Sequence, residues 1–221
     1  MLYLYAISDS PDRPEVLGLE DAALAASGAE GLFAIWSEHE EPRLGADEAA
    51  LLKHERVVEA LLEKGPVLPM RFGSWMDDPA AVLELLAERR SDFELGLEQV
   101  RGAVELGVRA LVHEEPAERV PALAGADRPG TAYMLARLND EKRSEAIAAH
   151  IHEPLRALSR ASTSRKTSLS GSVNTAYLVD RDDVDPFRAA VQKLDQAVED
   201  AAIVCTGPWP PYSFTPAGST L

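Results

Sequence analysis

Ala103-Val104-Glu105-Leu106-Gly107-Val108-Arg109-Ala110-Leu111-Val112 is the stretch on which the reading of this chain turns. Val104, Leu106, Val108 and Ala110 alternate with Glu105, Gly107, Arg109 and Leu111. A period of two places one set of side chains on the buried face of a strand. The stretch also stands where one run of strands and helices closes and a second begins. Residues 1–102 are accordingly read as an N-terminal α+β domain, 103–206 as a C-terminal domain, and 207–221 as a tail.

Toward the N-terminus, Leu2 to Ile7 reads as a buried strand and Gly31 to Trp36 as a second, with a short alanine-rich helix expected between them at Glu20 to Ser27. Asp47 is placed to cap a helix reaching Lys64, with Leu51, His54 or Glu55, Val58 and Leu62 along one face and Gly65-Pro66 as its stop. Val67 to Gly73 follows as a short strand, and its internal Pro69 assigns it to a sheet edge or a strand end. Asp78-Pro79 then opens one helix to about Arg101, carrying Val82, Leu86, Phe93, Leu97 and Val100, with Gly96 weakening its end.

Toward the C-terminus, a turn at Asp127 to Gly130 leads into a long helical pattern from Thr131 to Ala161, with a kink or break expected at Glu153-Pro154. Ser162 to Ser172, rich in serine and threonine, reads as a loop, and Val173 to Val179 as a strand. Asp185-Pro186 gives a capped helix start ahead of Phe187, Val191, Leu194 and Val198. Ala201 to Thr206 is uniformly apolar, the pattern of a strand buried on both faces. Sheet and helices in this order make the second domain ferredoxin-like if a further strand lies in Thr167 to Ser170. The fold class of the whole is α+β.

Composition narrows function. Hydrophobic residues make up 46% and charged residues 27% of the 221, the balance of a folded chain. A formal charge of -15 repels nucleic acid and anionic lipid surfaces, so neutral, basic or apolar partners are expected. Cys205 is a single cysteine, the first residues lack a basic signal segment, and no apolar run approaches the ~20 residues of a membrane span, which together predict a cytoplasmic protein.

Chemistry-bearing patterns are sparse. His150 and His152 stand two apart on a helix, facing different ways, without Cys or His partners at metal spacing, so no metal is expected. Phosphate-cradling glycine motifs and the Gly-x-Ser-x-Gly nucleophile pattern are absent, so neither a cofactor nor a catalytic residue is assigned. Glu55 and Arg71 read as an ion pair bracing helix against strand rather than as acid-base machinery. The alternative is a small-molecule-binding or enzymatic α+β protein using an interdomain cleft near Arg71. Arg156, Arg160, Arg165 and Lys166 form a basic stretch, read as a solvated helix end and loop.

Gly207-Pro208-Trp209-Pro210-Pro211-Tyr212-Ser213-Phe214 is the densest aromatic and proline cluster, and no charged residue occurs from Ala201 to Leu221. Two placements are open, a clasp on the chain's own N-terminal domain or an arm for a partner. Burying Trp209, Tyr212 and Phe214 contributes about 1.5–3 kcal/mol each, and the prolines reduce the ordering cost, which favours the clasp.

Several of these strings resemble the GvpL/GvpF family of gas vesicle proteins: His54-Glu55-Arg56-Val57-Val58, Val67-Leu68-Pro69-Met70-Arg71-Phe72-Gly73, Asn174-Thr175-Ala176-Tyr177-Leu178-Val179-Asp180 and Thr206-Gly207-Pro208-Trp209-Pro210-Pro211-Tyr212-Ser213-Phe214. The resemblance implies a non-enzymatic component of gas vesicle assembly, cytoplasmic or vesicle-associated, with an α+β first domain and a ferredoxin-like second. It also implies that the partner is the small hydrophobic shell protein GvpA, kept from aggregating while the vesicle nucleates, and possible further partners among other gas vesicle proteins. It carries over no catalytic residue.

Overall fold

The structure is a computed structural model that describes residues 1–42, 47–112, 129–166, 172–199 and 201–216. The chain forms two compact units, Met1–Glu105 with Pro208–Leu221, and Leu106–Gly207. The architecture is α+β, with one sheet and its own helices in each.

In the first unit β1 (Leu2–Ser8), β2 (Leu24–Ala29), β3 (Leu32–Glu38) and β4 (Val67–Pro69) form a sheet ordered β2-β3-β1-β4, with β5 (Trp75–Met76) pairing to the start of β1. All seven residues of β1 are buried, as its unbroken apolar run requires of a strand covered on both faces. Tyr3 and Tyr5 share one core with Val57, Val58 and Leu61 of α1 (Glu48–Lys64). The segment expected as an alanine-rich helix is instead β2 (Leu24–Ala29), paired antiparallel with β3 (Leu32–Glu38). Glu30 and Gly31 both have positive φ, 53° and 76°, the two-residue turn whose twist matches a hairpin. Cross-strand pairing thus overrides the helix propensity of three alanines.

Asp47 caps α1, its carboxylate accepting the Ala50 amide at 2.7 Å. The buried positions are Ala50, His54, Val57, Val58 and Leu61, so Leu51 faces outward and Leu62 is only partly covered. The strand expected over Val67 to Gly73 is shorter, β4 (Val67–Pro69), and Pro69 sits on an edge strand where a missing N–H is tolerated. The single helix expected from Pro79 is two, α2 (Pro79–Glu88) and α3 (Arg90–Val100), divided at Arg89.

The second unit follows the order β6 (Ala103–Val112), α4 (Pro129–Arg156), β7 (Ala161–Lys166), β8 (Ser172–Asp180), α5 (Val184–Ala197), β9 (Ala201–Trp209). Its sheet is ordered β7-β8-β6-β9. The alternation read in β6 places Leu106, Val108 and Ala110 in a core with Ile151 and Leu155 of α4, Tyr177 and Val179 of β8, and Phe187 and Val191 of α5. α4 runs through Pro154, which has no amide to return to the carbonyl four residues before it, and ends at Arg156, short of the expected Ala161. Much of the expected Ser/Thr loop is strand: β7 pairs with β8 from Ala161↔Leu178 to Lys166↔Val173, and Thr167 to Ser170 lie outside the described residues. Serine and threonine there hid an edge strand, where polar side chains meet water. Two boundaries also move. Asp183, not Asp185, occupies the position before α5, and β9 runs on to Trp209 with only Ala201 and Ile203 buried, while Val204 is 48% exposed, so this edge strand is covered on one face.

Candidate functional site

His54 is fully buried on α1, and its surroundings fix its tautomer. Nε2 lies 3.1 Å from the Met70 carbonyl, which can only accept, so Nε2 carries the hydrogen. Nδ1 is then an acceptor and takes the Tyr3 hydroxyl hydrogen at 2.9 Å, while the Tyr3 oxygen accepts the Gly73 amide at 3.1 Å. The ring is neutral: burial lowers its pKa to about 4, opposed in part by the bond to Met70. Tyr5 stacks on it at 5.6 Å, and Phe72 and Trp75 close the cluster edge-on to Tyr3. Burial also holds the Tyr3 and Tyr5 phenols above their ordinary range.

This geometry explains Pro69-Met70-Arg71-Phe72-Gly73. Met70 supplies a backbone carbonyl to His54 and donates its amide to the Tyr5 backbone carbonyl, Phe72 packs edge-on against the Tyr3 and His54 rings, and Gly73 donates to Tyr3. Arg71 lies just past the end of β4 and is exposed, its carbonyl receiving the Ser74 amide and hydroxyl. The expected Glu55–Arg71 ion pair does not form. Among the described residues no ion pair joins them, because the strand stops before Arg71 and the side chain reaches water.

Glu55 instead meets the tail. Tyr212 donates its phenol hydrogen to Oε1 of Glu55 at 2.9 Å, and its ring lies 6.4 Å from that of His54. Burial raises the Glu55 pKa, which the Tyr212 bond opposes and neighbouring Glu59 reinforces. The Tyr212 phenol is held far above its usual range by burial and by the Glu55 charge. One residue on, Ser213 donates both its amide and its hydroxyl to Glu105, at 2.8 Å each. Pro210 and Pro211 are buried, Phe214 is half-buried, and Pro216 packs at Gly96 of α3 beside Leu68. The segment therefore crosses the open edge at β4, from the α1 face to the α3 face. Trp209 is the exception to the expected burial, at 46% exposed.

A second constellation escaped the sequence reading. Glu20 Oε2 lies 3.2 Å from His39 Nδ1, His39 Nε2 2.8 Å from Ser37 Oγ, and Ser37 Oγ 2.8 Å from Tyr5 Oη, which accepts the Leu19 amide at 2.7 Å. Acid, imidazole and hydroxyl stand in the order of a hydrolase relay. Ser37 is fully buried, however, and its oxygen is enclosed between His39 and Tyr5. What the relay does here is satisfy buried polar groups. Glu20 and Asp21 adopt left-handed backbone, φ 54° and 60°, a local device that no spacing rule signals.

In the second unit His152 is half-buried and bonds the Tyr177 hydroxyl at 3.0 Å; burial pushes the Tyr177 pKa up to about 12. Of the basic stretch, Arg156 and Arg160 line a shallow depression with Glu153, Ser159 and Ser162, and Arg160 pairs with Asp180. Among the described residues no group of three His, Cys, Asp or Glu side chains is placed to hold a metal, and no helix is long and apolar enough to cross a membrane.

Comparison with known proteins extends over both units. The family profile described as "Gas vesicle synthesis protein GvpL/GvpF" matches residues 1–216. Gas vesicle protein F of a Streptomyces species is 34% identical over an alignment covering 96% of this chain and 98% of that protein. Gas vesicle protein F2 of Halobacterium salinarum is 30% identical, covering 96% and 91%. Two crystal structures share the fold: GvpF from Anabaena, with a TM-score of 0.80 at 22% identity over 97% of this chain and 95% of that one, and GvpF from Microcystis aeruginosa, with 0.79 at 19% over 97% and 98%.

Proposed function

Because the chain belongs to the GvpL/GvpF family of gas vesicle synthesis proteins, we propose that it is a non-enzymatic assembly factor that binds the hydrophobic shell protein GvpA. In this reading it prevents GvpA from aggregating during vesicle nucleation, works in the cytoplasm and at the vesicle, and meets other gas vesicle proteins there. The second unit's β-α-β-β-α-β order is read as ferredoxin-like.

The observation that carries the reading is that the family match takes in the first unit, the second unit and the docked tail, from residue 1 to 216. Physical chemistry supports it. A carrier of an apolar subunit must stay soluble while loaded, and a formal charge of -15 supplies that repulsion. The test is co-expression with tagged GvpA, pull-down, and mapping of cross-links. Recovery of the complex is expected; absence of GvpA from the pull-down, with normal vesicles in a deletion strain, overturns the reading.

A further inference from the structure

We propose that the outer edge of β7, together with the depression at its start, is a docking site for an extended acidic segment of a partner protein. The site is independent of the GvpA reading. β7 is an edge strand, paired on one side with β8 from Ala161↔Leu178 to Lys166↔Val173, and among the described residues no strand pairs with its other side. The backbone amides and carbonyls of that side form a template for one more strand. The template is set before any partner arrives. Arg160 donates its amide to the Leu178 carbonyl at 2.8 Å, and Ser164 Oγ lies 3.0 Å from Thr175 Oγ1, tying the strand to its inner neighbour. Where the edge begins, Glu153 and Arg156 of α4 meet Ser159, Arg160 and Ser162 around a depression of about 380 Å³. Asp180 pairs with Arg160 and holds its guanidinium in place, whereas Arg156 is exposed and, among the described residues, joined to no acid.

Charge selects the occupant. Residues 154–179 contain Arg156, Arg160, Arg165 and Lys166 and no acid, in a chain whose formal charge is -15. Arg156 and Arg160 precede the strand and Arg165 and Lys166 close it, so the edge carries basic residues at both ends. At ~3.3 Å per residue β7 spans roughly 20 Å, and an added strand of that length with acidic residues near its ends matches the spacing. A second copy of β7 is refused by the same charges, because pairing it in either direction sets basic residues against basic residues. Nucleic acid brings negative charge but no amide edge to pair, and the rest of the chain repels it. An acidic peptide strand satisfies both the backbone and the arginines.

The test titrates a fluorescent Thr-Glu-Thr-Glu-Val-Glu-Thr peptide against the full-length chain at low salt. Saturable binding is expected, weakened about tenfold by Arg156→Glu and lost for the same peptide carrying N-methyl groups on successive amides, which keeps the charge and removes the strand edge. Hydrogen exchange of the β7 amides is expected to slow when the unmethylated peptide is bound. Because Arg156 is exposed, the variant is expected to melt as the parent does, and the methylated peptide needs no change in the protein at all. No saturable binding up to about 1 mM peptide overturns the site. Binding indifferent to Arg156→Glu removes the depression from it, and binding indifferent to N-methylation removes the strand edge; either result overturns the proposal. Light scattering of the chain alone at the same salt gives the remaining outcome: self-association abolished by Arg156→Glu, in place of peptide binding, overturns a partner's segment as the occupant.

Discussion

At the scale of single residues, Glu55 shows what the tail does. Its carboxylate is partly desolvated, and Tyr212 offsets that cost with a charge-assisted bond. Tyr212→Phe keeps the ring against His54 and removes the donor, so it is expected to cost about 1–3 kcal/mol, read as a lower melting temperature at neutral pH. His54 gives a pH prediction. Folded, its pKa is about 4; unfolded, it returns to 6.5. Between those values the unfolded chain binds more protons, so the contribution of neutral His54 is complete above pH 6.5 and is lost as pH falls through 4. The full effect is roughly 3 kcal/mol. Melting followed from pH 7 to 4 should show a steep fall that is shallower in His54→Gln. Sequence reasoning chose Glu55 and Tyr212 but paired Glu55 with Arg71 and named no partner residue for Tyr212, because apolar neighbours of Arg71 suggested burial and only the end of β4 at Pro69 shows otherwise.

At the scale of elements, the hairpin of β2 and β3 is the sharpest case. Gly28 has φ 151°, and a Cβ there would stand 2.1 Å from the Leu32 carbonyl oxygen. Gly28→Ala should therefore lose about 1–3 kcal/mol from backbone strain, with tryptophan emission reporting a less stable first unit and circular dichroism an unchanged strand content. Strands with buried alternation or unbroken apolar runs, β1, β3, β6 and β8, were legible from sequence, as were α1 with its Asp47 cap and α2 with its Asp78 cap. Of the three strands missed from sequence, β2 and β7 lie at sheet edges, where alanine, serine and threonine are tolerated and period-two hydrophobicity fades, and β5 spans only two residues. The Glu20–His39–Ser37–Tyr5 relay was illegible for a related reason: a 3-10 turn and a hairpin bring its members together, and neither leaves a fixed spacing.

At the scale of the whole molecule, the tail is a structural member of the first unit. Removing residues after Gly207 should strip the cover from the β4 edge, leave Glu55 without its Tyr212 donor, lower the melting temperature and promote association through the bare strand. Trp36 and Trp75 both belong to that unit, so in the truncated chain tryptophan emission reports its unfolding alone, while circular dichroism follows both units. An unchanged emission midpoint would rule out a stabilising clasp. The same docking sets an order of synthesis. Tyr212 closes on Glu55 across 157 positions and Ser213 on Glu105 across 108. On the ribosome, residues 1–105 emerge first but cannot complete their surface until every residue of the second unit has been translated. The first part of the protein to be made is the last to be finished, and while it waits its open edge is exposed to any neighbouring nascent chain.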